Sequence, residues 1–366
     1  RLRIATYLLL STLLMALTVA SAQAEPQPSW SSFIDPHAAL QFNDVLRPER
    51  QAQFHPTDLT QLYTPGGDTA LWLHYRLPAN SDAQMLRVFA PYLAYLDLYV
   101  LQGDTLIEQA HTGNNLPFSS RPLASRDFLL PLPKAEQPLD IYLRLASEHA
   151  LRPSITLQSA QAMAADDNRP LLFGLLLGCL GMLVAYNVVR FIYTRAASGL
   201  WLAATQTCQL VSVVSLLGIS TPWLSDWQSL QPQIANLSML LATLCALCFT
   251  ASFFNKVCPR TPLNHLLTGE VVVIGVLCVI LLVATNLQFN QLVYLLTIVA
   301  GLSILLVSLT HWRHGYQPAR LFSLAVLLFC AAFICALPIF FGYWSVQSEW
   351  MAYGLLAVTV TSGFIQ

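Results

Sequence analysis

Charge is scarce in this sequence. Asp, Glu, Lys and Arg make up 10% of 366 residues and nearly cancel, leaving a net charge of −1. No basic stripe of the kind that tracks phosphates is present, so no nucleic-acid partner is expected. Cysteine is missing from everything before Cys179; all eight lie between Cys179 and Cys335. The preceding segment must therefore fold on an ordinary hydrophobic core rather than on a disulfide framework. A nucleophile elbow, a phosphate-cradling Gly-rich loop, an HExxH motif and a pair of facing carboxylates are all absent, so the chain is not expected to be an enzyme by itself and no cofactor is implied. His37, His55, His74, His111 and His149 share the first part of the chain, but no pair has close ligand spacing, and no metal site is expected.

What is abundant is hydrophobicity. Apolar residues reach 55% and the mean hydropathy is +0.55, outside the range of an average soluble domain. Seven long apolar stretches, at about residues 170–190, 198–219, 233–254, 265–284, 291–311, 320–341 and 350–366, follow one another. A crossing takes about 20 residues, so residues 169–366 are expected to form an all-α bundle of seven transmembrane helices whose partner is the lipid bilayer.

The connections between these stretches set their direction. Arg190 and Arg195, Lys256 and Arg260, and Arg313 and Arg320 mark the first, third and fifth connections, while the second, fourth and sixth carry no Lys or Arg. The odd connections are expected to be cytoplasmic. Arg1 and Arg3, an apolar run from Ile4 to Ala20, and Ala22-Gln23-Ala24 before Glu25 have the layout of a secretory signal peptide over residues 1–24, with a membrane anchor as the competing reading. Both signals place residues 25–168 outside and the carboxyl end in the cytoplasm. Trp223, Trp227, Trp344 and Trp350 on one side and Trp201 and Trp312 on the other fit an interfacial aromatic belt.

Residues 25–168 are Pro-rich and polar, with short runs of period-two alternation. Leu71, Leu73, Tyr75 and Leu77 alternate with Trp72, His74 and Arg76; Leu96, Leu98 and Val100 with Tyr95, Asp97 and Tyr99; Ile141, Leu143 and Leu145 with Tyr142 and Arg144. Further strands are expected at residues 85–89, 128–132 and 154–158. Turn signals stand at residues 65–68, 103–104 and 113–115. Short strands with no convincing helix between them predict an all-β jelly roll or β-sandwich. If the three alternating strands share a sheet, one face gathers Trp72, His74, Arg76, Tyr95, Asp97, Tyr99, Tyr142 and Arg144. That is either a half-wet outward face or a platform for stacking on sugar rings and holding a small polar ligand.

Within the apolar stretches, Glu270, with His265 just before it, is the ionisable residue that stands out; an inter-helix hydrogen bond and proton or ion handling are the two readings. Cys245-Ala246-Leu247-Cys248 has redox spacing but reads as small residues in a packed helix, and Gly174, Gly178 and Gly181 are expected to mark a close helix contact.

The order of parts resembles the bacterial seven-transmembrane receptors with diverse intracellular signalling modules. The resemblance is carried by residues 70–77, by Leu96-Asp97-Leu98-Tyr99, by Ser125-Arg126-Asp127-Phe128-Leu129-Leu130-Pro131-Leu132, and by Ile141-Tyr142-Leu143-Arg144-Leu145-Ala146-Ser147 leading to Pro153. Residues 25–168 look like the second type of extracellular domain of that family, a jelly roll similar to carbohydrate-binding modules. The resemblance implies a receptor of the bacterial inner membrane. Its periplasmic domain would sense a small glycan or carboxylate-like ligand through Trp72, Tyr95 and Tyr99 as stacking rings, with Arg76, Arg126 and Arg144 meeting acidic or hydroxyl groups and Asp97 accepting hydrogen bonds. It further implies a relay through seven helices to a cytoplasmic histidine kinase or diguanylate cyclase, in a homodimer. Gln366 ends the chain while the seventh stretch is still running inward, so either a fragment or a protein working through a partner is expected. A transporter or channel subunit with a periplasmic cap, and a docking surface for another membrane receptor, are the alternatives.

Overall fold

The computed structural model describes residues 30–59, 62, 67–82, 85–90, 93–134, 136–147, 153–159, 169–216, 218–221, 230–254, 262–283 and 290–340. The expected signal peptide and the seventh span, with Lys256, Arg260, Trp223, Trp227, Trp344 and Trp350, lie outside the described residues.

The first part is a β-sandwich of two antiparallel sheets. Its strands are β1 (Trp30–Asp35), β2 (His55–Thr57), β3 (Ala70–Leu77), β4 (Met85–Phe89), β5 (Tyr95–Gln102), β6 (Thr105–Thr112), β7 (Phe128–Pro131), β8 (Leu139–Ala146) and β9 (Ser154–Gln158). Six strands in the order β2-β1-β3-β8-β5-β6 form one sheet, and β7-β4-β9 the other. Alternation drives the layering: Leu71, Leu73, Leu96, Leu98, Leu143 and Leu145 turn inward and meet Leu86, Val88, Leu130 and Ile155 of the smaller sheet in one apolar core.

Strands β3, β8 and β5 lie side by side, as the platform requires. The alternating pattern does not reveal β1, β2 or β6, and two one-turn helices, α1 (Phe42–Val45) and α2 (Pro48–Gln51), stand where no helix is expected. Each omission has a physical reason. Strand β1 reads Trp-Ser-Ser-Phe-Ile-Asp without alternation, and β2 is three residues with a central Pro, tolerable because it is an edge strand. Strand β6 is the opposite edge and exposes residues on both faces.

Among the described residues six long helices follow: α3 (Arg169–Thr194), α4 (Ala197–Leu216), α5 (Gln231–Phe254), α6 (Pro262–Val283), α7 (Asn290–Arg313) and α8 (Pro318–Phe340). The first five are long and apolar enough to cross a membrane, and α8 carries a shorter apolar segment, Pro318–Ile334. Apolar residues turned away from the other helices, such as Met182 and Tyr193 on α3 and Val272, Val279 and Val283 on α6, are what lipid-facing surfaces require, because the tails there are as apolar as the side chains.

Polar side chains tie the helices together. Asn187 of α3 donates to Gln206 of α4 (3.0 Å), Ser212 of α4 to the Ala235 carbonyl of α5 (3.0 Å), and Ser323 of α8 to Ser308 of α7 (2.8 Å). Among the described helix glycines the closest approach is at Gly301 of α7, where a Cβ would come within 2.8 Å of Cys330 Sγ on α8. The expectation for Gly174, Gly178 and Gly181 is corrected: among the described residues, nothing lies within 4 Å of a Cβ built at any of them.

Candidate functional site

Register on the outer face of the six-stranded sheet places the singled-out residues in cross-strand rows. Trp72 of β3 pairs with Arg144 of β8, which pairs with Asp97 of β5, which pairs with His111 of β6. One row along, His74 pairs with Tyr142, Tyr142 with Tyr99 and Tyr99 with Gln109. Arg76 stands opposite Asp140, and Tyr95 opens β5 opposite Ala146. Direct neighbours on one face sit within side-chain reach, so the face is one continuous surface.

That surface is not open along its length. The chain between β1 and β2 folds over it and makes a second, smaller core in which Val45 and Trp72 are fully buried, with Leu101, Tyr142, Phe33, Phe42, Leu46 and Phe54 around them. The ring of Phe42 stacks on Tyr99 and stands edge-on to Tyr142; Phe54 stands edge-on to His74 and Tyr142. Gln51 donates to the Tyr142 hydroxyl (3.0 Å) and to the Val45 carbonyl (3.0 Å). Burial pushes the Tyr142 phenol above its ordinary range and does the same for Tyr99, where the nearby Asp97 carboxylate adds to the effect. Both are neutral hydrogen-bonding groups.

Polar groups emerge at two ends of this cover. At one end Arg144 Nη1 donates to Asp97 Oδ2 (3.1 Å), and Asp97 Oδ1 meets His111 Nδ1. The carboxylate is 7% exposed and the imidazole 62%. Tyr95, 38% exposed, lies parallel to His111 with ring centroids 6.3 Å apart. At the other end His74 Nε2 bonds Asp140 Oδ1 (3.0 Å) and stacks on Tyr142 (4.5 Å), while Arg76 is exposed.

The cover is fastened through Arg144. Its Nη2 donates to the carbonyl of Ala38 (3.1 Å), and its buried Nε has no hydrogen-bond partner. Ala38 holds a left-handed backbone, φ 49°, a conformation costly for a residue with a Cβ. Buried Asp35 shapes that turn, accepting from the backbone of His37 (3.3 Å) and Leu40 (2.8 Å).

Arg126 is placed elsewhere. It precedes β7 of the smaller sheet, where its Nε approaches Asp127 Oδ1 (3.4 Å). Asp127 also accepts from Arg87 Nε (2.6 Å). Next to it Arg121 is buried, donating to the carbonyls of Ser125 (2.7 Å) and Arg126 (2.8 Å) and to Asn114 Oδ1 (2.8 Å), with its guanidinium over the Phe128 ring (4.3 Å). This cluster fixes the loop that joins the two sheets.

In the helices, Glu270 of α6 accepts from Ser303 of α7 (2.5 Å) and its other oxygen is buried without a partner; His265, one turn earlier, is exposed. The alternation pattern overlooks Phe42, Gln51 and Phe54 because they stand outside the strands. Phe42, Val45 and Leu46 do carry a usable signal, the i, i+3, i+4 spacing of an apolar helix stripe.

A sandwich with an occupied aromatic face, followed by membrane-crossing helices joined by buried polar pairs, is the setting in which the family relationships stand. Residues 27–159 match the family described as 7TMR-DISM extracellular 2, and residues 169–365 match 7TM diverse intracellular signalling. No curated protein matches the chain. Both matching domains are sensory rather than catalytic modules. The second match alone covers more than half of the sequence, and the chain therefore belongs to the seven-transmembrane receptors with diverse intracellular signalling, as a membrane protein with an extracellular sensor domain.

Proposed function

We propose that this receptor lies in a bacterial inner membrane with its sandwich in the periplasm. It senses a small carboxylate-like or glycan ligand on the outer sheet face, and passes the signal through its helices to a cytoplasmic histidine kinase or diguanylate cyclase in a homodimer. The observation that carries the ligand site is the Arg144–Ala38 bond. A guanidinium with an unpartnered Nε is held by a carbonyl belonging to a strained turn. A ligand carboxylate is a stronger acceptor for arginine than a backbone carbonyl, and it meets the guanidinium fork with two oxygens.

Ligand binding then displaces Ala38 from Arg144, relieves its left-handed backbone, and lifts Phe42 from Tyr99, which becomes a stacking surface beside Tyr95 and His111. Asp97 stays paired to Arg144 and sets the angle of the fork. The fully buried Trp72 acts as the floor under the cover rather than as a first stacking ring. The ligand biases the covered and uncovered arrangements by its difference in affinity for them. The other site assignments are weaker: Arg76, His74 and Asp140 form a second polar end, and Arg126 belongs to the loop between the sheets.

The test is thermal unfolding of the whole chain in nanodiscs against a panel of small carboxylates and of mono- and oligosaccharides. Stabilisation by members of one class, lost in Arg144→Ala, is the expected result. A shift that survives Arg144→Ala would place the site elsewhere, and no shift from either class would remove both ligand chemistries.

A further inference from the structure

Two arginines flank the turn between α7 and α8, and the sequence supplies no carboxylate near them. Residues 271–348 contain no Asp or Glu. Glu270 meets α7 at Ser303, about 15 Å along the helix from Arg313. Among the described residues neither Arg313 nor Arg320 has an ion-pair partner, and both are exposed, as is Trp312. The turn itself is short and fixed. Gly315 takes a left-handed backbone, φ 91°; its N–H donates to the Trp312 carbonyl (3.0 Å) and that of Tyr316 to the His311 carbonyl (3.1 Å), the pair of bonds that closes a helix end. Tyr316 turns inward against Phe253 and Phe254, which leaves Trp312, Arg313 and Arg320 outside. The Arg320 guanidinium lies over the Trp312 ring, 5.9 Å from its centre, within reach of a cation–π contact. The indole thus holds one guanidinium beside the end of α7, where Arg313 is the adjoining residue.

This surface stands at the edge of the bilayer. The membrane-crossing segment of α7 ends at Arg313 and the apolar segment of α8 begins at Pro318, so the turn sits at headgroup depth, where Trp and Arg are at home. From Arg313 an apolar stripe runs back into the membrane: Leu302 and Leu306 stand on the same side of α7 by helical spacing, and both are exposed, as is Leu327 of α8. A cationic end joined to an apolar stripe is complementary to an amphiphile with an anionic head. A zwitterionic lipid would bring its ammonium to a place where no carboxylate receives it, whereas the phosphate of a lipid with net negative charge meets the guanidinium donors directly.

We propose that the turn between α7 and α8 is a binding site for an anionic phospholipid, with Arg313 and Arg320 on its phosphate, Trp312 holding Arg320 in place, and the acyl chains along Leu302 and Leu306. A bound headgroup bridges the two helices at the membrane surface, beyond the point where the Ser323–Ser308 bond joins them. The site goes beyond the sensing reading, and it depends neither on an extracellular ligand nor on which side of the membrane the turn faces.

Native mass spectrometry of the whole chain, titrated with phosphatidylglycerol and with phosphatidylethanolamine of the same chain length, tests it. The first phosphatidylglycerol is expected to bind about ten-fold more tightly or better, because each arginine near an anionic headgroup contributes about five-fold. Arg313→Gln combined with Arg320→Gln should remove that preference, and Arg195→Gln, at an exposed arginine between α3 and α4, should keep it. Equal affinity of the wild-type chain for the two lipids would overturn the proposal. An equal loss in Arg195→Gln would do so as well, since it would mean attraction to surface charge in general. Excess inorganic phosphate is expected to leave the lipid bound; displacement by it would point to a plain anion site and overturn the lipid assignment. Should the double variant fold poorly, a phosphatidylglycerol with a photoreactive headgroup decides on the wild-type chain: cross-links concentrated in residues 302–321 support the site, and cross-links spread evenly over the helix ends overturn it.

Discussion

The rings of Phe42 and Tyr99 lie 4.0 Å apart and within 7° of parallel, so the position a ligand ring would take on this face is held by the protein's own side chain. A stacked aromatic pair contributes about 0.5–1.5 kcal/mol beyond the area it buries. Because Phe42 is half-buried, Phe42→Ala is expected to lower the stability of the sandwich by about 1–3 kcal/mol, below the cost of a fully buried Phe. The same change should open a path to Trp72. Collisional quenching compared between Phe42→Ala and Phe42→Ala with Trp72→Phe isolates that one indole; no added quenchable component would show that Phe42 is not the roof.

The two-sheet core and the row of platform residues were legible in the sequence because period-two alternation is a direct consequence of strand geometry. Leu71, Leu73 and Tyr75 against Trp72, His74 and Arg76 separate inward from outward residues without knowledge of the partners. Burial of the outward face was not legible. Trp72 looks the same in a strand pattern whether water or Phe42, Val45 and Phe54 lies above it, since the covering segment contacts it across the sheet and not along the chain. Arg126 failed to join the platform for a related reason: its neighbours in sequence lead into β7, and only the sheet order shows that β7 belongs to the other layer. Apolar helices were legible because length and hydropathy mark them, whereas a small-residue spacing such as Gly174, Gly178 and Gly181 does not say which side of a helix meets a neighbour.

Arg144 and Asp97 should behave as a coupled pair. Their side chains are 18% and 7% exposed, and Arg144→Met would leave the Asp97 carboxylate with the His111 ring as its side-chain partner. Removing one partner of a buried pair costs about 3–5 kcal/mol; the partial exposure of Arg144 brings the expectation to about 2–3 kcal/mol. Asp97→Asn combined with Arg144→Met should cost less than the sum of the single changes. A denaturant double-mutant cycle gives the coupling, and strict additivity would mean that the pair contributes nothing beyond its separate residues.

Alkaline pH should weaken the sandwich through its covered phenols. Burial raises Tyr75, Tyr99 and Tyr142 above the ordinary value of 10.0, with Asp140 adding to it for Tyr142 and the Gln51 bond opposing it. Above that pH the unfolded chain has released protons that the folded chain retains. The phenol contribution is therefore fully present below pH 10 and is lost as pH rises through the folded values. Arg121 works the other way: burial lowers its guanidinium to about 10, well below the ordinary arginine range, despite the pull of Asp127, so its contribution rises over that window. Replacing Tyr142 by Phe removes one phenol and leaves Arg121 in place, so the difference between the two chains reports the phenol alone. Denaturation midpoints measured from neutral to strongly alkaline pH should fall less steeply in Tyr142→Phe than in the wild-type chain, and an identical slope would exclude Tyr142 as a source.

Gly113 is the position where a single methyl group should do most damage. Its φ is 149°, and a Cβ there would lie 2.1 Å from the Ala94 carbonyl oxygen and 2.7 Å from its carbon. The close approach is needed because the next two residues clamp the loop to the start of β5: Asn114 N donates to Leu93 O (2.9 Å) and Asn115 N to Ala94 O (3.1 Å). Asn114 in turn holds Arg121, so a loop displaced here releases the buried guanidinium that joins the two sheets. Gly113→Ala cannot relieve the clash by a rotamer change, since the obstacle is backbone, and is expected to cost about 3 kcal/mol or more. Limited proteolysis of the whole chain in nanodiscs should then cut within residues 113–127 far faster than in the wild type while the membrane helices stay protected. Gly67→Ala is the contrast: its φ is also positive, at 73°, but nothing lies within 4 Å of the added Cβ, so it should cost only about 1 kcal/mol of backbone strain. Equal proteolysis of the two variants would mean that contact with Ala94 is not what makes Gly113 necessary.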